Sequence, residues 1–221
     1  MQNDIQKMSS YKKQVKKYGT PISGTEYEEL KEYAHKKKIR LAGFKDFVGD
    51  IYTIQQVIDD IDLVAKDFPL LISDKKGITL ELDYDMGTDY ATTRFKHIVH
   101  LNAAYYSNLE MLITDYENGV NEGWFVKGTD WHAIIKHETG HVVANLYHLQ
   151  PMEIAKRILH TDSKLKVLDE LTDRLSLYST EYEDGREIIS ESFSGFYSMA
   201  NNEFANEYVK ECKRIINEGG M

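Results

Sequence analysis

The chain has 221 residues, a formal net charge of −9, 42% hydrophobic and 29% charged residues. That composition suits a soluble globular domain with one sizeable core, and the acidic balance argues against a nucleic-acid binder, whose phosphate contacts need a basic surface. The single cysteine, Cys212, excludes an internal disulfide framework and reads as a packing residue in a C-terminal helix.

In chain order, residues 4–18 are Lys-rich and weakly amphipathic, and Gly19-Thr20-Pro21 breaks them. Ser23 or Thr25 can cap a second helix running to about Lys38. Residues 1–40 therefore read as an N-terminal helical appendage, with residues 41–221 as the main domain. The N-terminus has no apolar core of a signal peptide and no stretch nears 18 continuous apolar residues, so the reading is a cytoplasmic chain without a membrane span. Signal-less export or packaging in a larger particle is compatible with it.

Ile54, Val57, Ile58, Ile61, Val64 and Ala65 have helical spacing, ended by Phe68-Pro69. Residues 77–83 alternate as a strand, 83–89 form a polar turn, 97–102 read as a second short strand and 103–117 as a helix. Gly119, Gly123 and Gly128 mark a loop. Thr129 or Asp130 then caps an apolar-periodic helix that runs to Leu149 and is closed by Pro151. Helical segments near 152–160, 163–178, 185–199 and 202–217 follow. A mixed front half and a helical back half predict an α+β fold.

Residues 137–141 read His-Glu-Thr-Gly-His. On a helix, positions i and i+4 share a face, so both imidazoles can reach one zinc ion. Glu138, beside the first histidine, is placed to take a proton from a metal-activated water. Gly140 is small enough for close packing at the metal. A third ligand is needed, with water completing the shell. Ala144 and Tyr147 occupy the positions where a metzincin carries Gly and His, which excludes that class. His148 lies about 10.5 Å from His141 along the helix axis, too far to share one ion. Glu187 and Glu191 share a face of a later helix whose other faces carry Ile188, Ile189, Phe193 and Phe196. Acids in such apolar company imply a cation, one carboxylate binding it and the other orienting a ligating histidine. An exposed acidic stripe is the plainer alternative.

The pairing of His-Glu-x-x-His with Glu187-Ile-Ile-Ser-Glu191-Ser-Phe resembles gluzincin zinc metallopeptidases, more closely the anthrax lethal factor type and metallopeptidase-like domains of phage head proteins. The similarity covers roughly residues 95–217. It implies a zincin-like fold with a small mixed sheet and an active-site helix, one Zn2+ per chain held by His137, His141 and Glu187, and Glu191 in support. It further implies an oxyanion-stabilising tyrosine, for which Tyr178 matches best and Tyr182 competes. An edge strand pairing with extended substrate is also implied, with Ile98, Val99, His100, Leu101 and Asn102 as the candidate. The expected activity is hydrolysis of peptide bonds with Glu138 as general base. The alternatives are a non-catalytic zinc-binding domain of the same fold, phage-structural or toxin-associated, and a metal-free interaction module. No G-x-S-x-G and no phosphate-binding glycine loop is present, which excludes those hydrolase and nucleotide chemistries.

Overall fold

A computed structural model describes residues 20–73 and 77–219. The expected helix at 4–18 lies outside these residues. Helix α1 (Gly24–Lys36) opens with a capping box, in which the Ser23 side chain accepts from the Glu26 amide and the Glu26 carboxylate accepts from the Ser23 amide. Its Leu30 and Ala34 are buried in the same core as the rest of the molecule. The boundary expected near residue 40 therefore does not separate two cores, and the next strand, β1 (Arg40–Ala42), joins the main sheet.

Helix α2 (Ile51–Ala65) is capped by Asp50 and buries the predicted stripe of Ile54, Val57, Ile58, Ile61, Val64 and Ala65. Strand β2 (Thr79–Asp83) alternates as expected, with Leu80 and Leu82 facing the core. Strand β3 (Ala91–Arg94) lies in a stretch that the sequence pattern left unassigned. It turns into β4 (Ile98–Asn102) through Phe95 and Lys96, both with positive φ. That is the backbone a tight hairpin demands, met here without glycine.

The sheet order is β1-β2-β4-β3, with β1, β2 and β4 parallel and β3 antiparallel to β4. This corrects the expected role of residues 98–102. Strand β4 is paired on both sides, with β2 along one and β3 along the other, so it has no free edge to offer a substrate. The sheet's edges are β1 and β3, and β3 is the one next to β4.

Asn102 ends β4 and caps the short helix α3 (Ala103–Tyr106). Asn108 then starts a new helix, α4 (Leu109–Asn121), dividing what the periodicity presents as one. Helix α5 (Ala133–Leu146) follows a turn in which the Asp130 carboxylate accepts from the His132 amide. Pro151 is the first residue of α6 (Pro151–Ile158), the position its missing N–H favours. Ser163 caps α7 (Lys164–Arg174), Gly185 precedes α8 (Arg186–Tyr197) in a left-handed conformation, and Asn202 caps α9 (Glu203–Glu218). Cys212 is fully buried in α9.

Helix α5 is central. It packs against β3, α2 and, most extensively, α8. Its residues from Ala133 to Gly140 are all buried, because helices and sheet cover it on several sides. The result is a zincin-like α+β fold: a small mixed sheet, a helix beneath it that carries His137 and His141, and a mainly helical C-terminal half. No described helix is long and apolar enough to cross a membrane.

Candidate metal centre

The contact between α5 and α8 builds the site. Gly140 lets the two backbones meet: a Cβ there would lie 2.9 Å from the Ser190 Cα and 3.3 Å from the Ile189 carbonyl oxygen. That approach brings Glu187 and Glu191, one turn apart on α8, to His137 and His141, one turn apart on α5.

Glu187 Oε2 is 3.1 Å from His137 Nε2 and 3.1 Å from His141 Nε2. One ligand atom from each of the three residues lies within 4.8 Å of the others. Glu191 occupies the opposite side of His137: its Oε1 is 2.8 Å from His137 Nδ1, and its Oε2 accepts from the Ser176 hydroxyl at 2.6 Å. Both carboxylates are almost fully buried, Glu187 at 4% and Glu191 at 1% exposure. The exposed acidic stripe is thereby ruled out.

The donor chemistry fits a cation. Glu191 accepts a hydrogen bond from His137 Nδ1–H, which leaves the neutral imidazole with its lone pair on Nε2. That lone pair points at Glu187 Oε2, a buried oxygen that accepts no well-aligned hydrogen bond. Two electron-rich atoms at 3.1 Å repel unless a metal or a proton lies between them. The electrostatics of the donors agree. Burial alone would lower the His137 pKa, but the adjoining carboxylates of Glu187 and Glu191 raise it well above the usual histidine value. Burial likewise opposes ionisation of Glu187, yet the two histidines hold its carboxyl far below the ordinary glutamate range. Such a three-donor set, two imidazoles and one carboxylate, suits zinc with an open coordination position.

Glu138 is buried at 7% exposure beside His137 and lines the adjoining cleft. Its Oε2 accepts a hydrogen bond from the Thr93 hydroxyl at 2.7 Å. The half-buried Tyr178, in a short helical turn after α7, also lines the cleft, with its ring 5.5 Å from that of His137. Burial, reinforced by the carboxylates of Glu187 and Glu138, keeps its phenol protonated. Tyr182 stands on the cleft rim with Arg186 over its ring at 4.7 Å.

The cleft encloses about 980 Å3. One wall is aromatic: Tyr116 stacks on Phe125 at 4.8 Å, Tyr90 stands 6.2 Å from both, and Phe125 leads to Tyr178 at 6.1 Å. Burial pushes the Tyr90 pKa up to about 12. Strand β3 contributes Ala91, Thr92 and Thr93 to the lining. None of Ile98, Val99, His100, Leu101 or Asn102 lines the cleft. Asn102 instead caps α3 and donates to the backbone oxygens of Gly87 and Asp89.

Sequence reasoning missed Thr93 and Ser176. Thr93 sits in the unassigned strand, where paired threonines were the available signal. Ser176 carries no local signature, since its partner Glu191 reaches it only through the tertiary fold.

No protein-family model matches the chain, and neither the curated proteins nor the solved structures contain a significant match to it. The His-Glu-x-x-His plus glutamate arrangement is consistent with a gluzincin-type zinc metallopeptidase, and nothing in the comparisons supports a tie to phage-head or toxin relatives.

Proposed function

We propose that the protein is a zinc-dependent endopeptidase. The observation that carries this reading is the convergence of His137, His141 and Glu187 on one point at the floor of an open cleft, with Glu138 next to them. Among the described residues no fourth protein ligand joins the three, which favours a catalytic over a closed structural site.

His137, His141 and Glu187 would hold the ion, and zinc, when bound, supplies Lewis acidity toward water and toward a carbonyl oxygen. Glu191 fixes the His137 ring and its tautomer through Nδ1. Glu138 accepts a proton from the attacking water and passes it to the leaving amine as the C–N bond breaks. The Tyr178 phenol, kept protonated, donates a hydrogen bond to the oxygen that gains charge as the carbonyl becomes tetrahedral. The free edge of β3, which lines the cleft, offers main-chain hydrogen bonds to an extended peptide.

The test is Glu138→Gln. The variant should keep one zinc per chain by elemental analysis while peptide hydrolysis falls by at least about 100-fold, as loss of a general base requires. Turnover equal to that of the parent would refute the proposal.

A further inference from the structure

Edge strand β3 does more than bound the cleft. Its side chains alternate: Thr92 pairs with His100 on one face of the sheet, and Thr93, opposite Val99, faces α5. The Thr93 hydroxyl lies 2.7 Å from Glu138 Oε2 and 3.0 Å from the Glu138 backbone oxygen. A hydroxyl has one proton. The shorter contact goes to the charged oxygen, where a hydrogen bond is stronger. No other described residue donates to the Glu138 carboxylate.

A glutamate has three side-chain torsions, and a base must present its working oxygen in one place. Threonine suits the task of fixing it. Its β-branched side chain is stiff about χ1, and the strand holds its backbone. With Oε2 occupied by Thr93, Oε1 is the oxygen left for the reacting water.

We infer that Thr93 is a positioning residue, which anchors the Glu138 carboxylate through Oε2 and ties the base to the strand along which substrate lies. Its catalytic consequence rests on the peptidase reading; the anchoring itself does not.

Thr93→Val and Thr93→Ser test this. Valine keeps the shape and the β-branch but removes the hydroxyl, whereas serine keeps the hydroxyl. In the zinc-loaded enzyme, Thr93→Val should lower kcat about 10- to 100-fold with KM changed by less than about twofold, because only an interaction serving the chemical step is lost. Zinc stoichiometry should not move, and Thr93→Ser should recover kcat to within about threefold of the parent. A second readout uses metal-free protein. There, Thr93→Val should lower Tm by roughly 3–6 °C, whereas in a Glu138→Ala background, where only the contact to the backbone oxygen remains, the same substitution should cost less than about half as much. Equal Tm losses in both backgrounds, or a kcat for Thr93→Val equal to the parent's, would overturn the inference. If the unmodified chain cleaves no peptide, the peptidase reading fails, and the metal-free pair alone decides whether Thr93 holds Glu138.

Discussion

Gly140→Ala probes the contact on which the metal centre depends. The added Cβ would sit 2.9 Å from the Ser190 Cα and 3.3 Å from the Phe193 Cβ, where carbon atoms normally rest about 3.5–4.0 Å apart. The nearest obstacle is backbone, which cannot rotate away, so α8 must retreat by roughly 0.6–1 Å. Overpacking of this kind costs about 1–3 kcal/mol. Replacing a mid-helix glycine by alanine returns about 1 kcal/mol of helix propensity. The net destabilisation of the metal-free protein should be small, about 0–2 kcal/mol. The metal centre should suffer more. Ser190 is one turn beyond Glu187, so the retreat carries Oε2 away from both Nε2 atoms, 3.1 Å distant in the parent. Metal–ligand distances tolerate only about 0.2 Å. Zinc affinity, measured by competition with a chromogenic chelator, should fall at least about tenfold, or 1.4 kcal/mol. Denaturant unfolding of stripped protein gives the stability arm. A variant as stable as the parent that also binds zinc equally well would show that the two backbones do not touch at Gly140.

Other outcomes separate the roles of individual side chains. Glu187→Gln should abolish stoichiometric zinc retention, whereas Glu191→Gln should weaken it about 10- to 100-fold, the usual loss when a histidine's orienting partner is altered; the reverse ranking in the same titration would exchange their roles. Tyr178→Phe should reduce kcat by about 10- to 1000-fold with zinc content unchanged, whereas Tyr182→Phe should not. Asp67 joins the end of α2 to α8 and α9, accepting a hydrogen bond from Tyr197 at 2.7 Å and pairing with Lys213. Burial resists its ionisation, but Lys213 and Tyr197 outweigh that and hold its pKa below the ordinary 3.8. Because the folded value is depressed, the stabilisation is present above about pH 4 and is lost as pH falls through the folded value. Asp67→Asn should therefore lower Tm at pH 7, and the gap to the parent should narrow progressively in melts taken below about pH 4. A gap independent of pH would contradict that origin.

What the sequence disclosed follows the range of each interaction. His137, Glu138 and His141 were legible because their arrangement is local: one helical turn fixes two imidazoles on one face. Glu187 and Glu191 were legible as a pair for the same reason. Their division of labour was not, because it depends on the angle at which α8 crosses α5. Helix α1 reads as a solvated appendage since only Leu30 and Ala34 are fully buried, with Tyr27 and Tyr33 partly so, too few to stand out among its lysines and glutamates. Thr93 and Ser176 act across 45 and 15 residues of chain, and nothing in their neighbourhoods announces their partners.

The misplacement of the edge strand is more instructive, because composition did carry the answer. A strand covered on both faces and paired on both sides has no place for solvated side chains, so it reads as a nearly unbroken apolar run. Ile98-Val-His-Leu is such a run, and four of the five residues of β4 are buried. An edge strand faces the opposite demand. It must be short and polar, or it pairs with other chains and aggregates. Ala91-Thr-Thr-Arg meets that demand, with only its first residue buried. The weak strand signal that left 91–94 unassigned is thus the mark of the edge itself. Physical reasoning from side-chain polarity places the free edge on β3, and with it the hydroxyl that reaches Glu138.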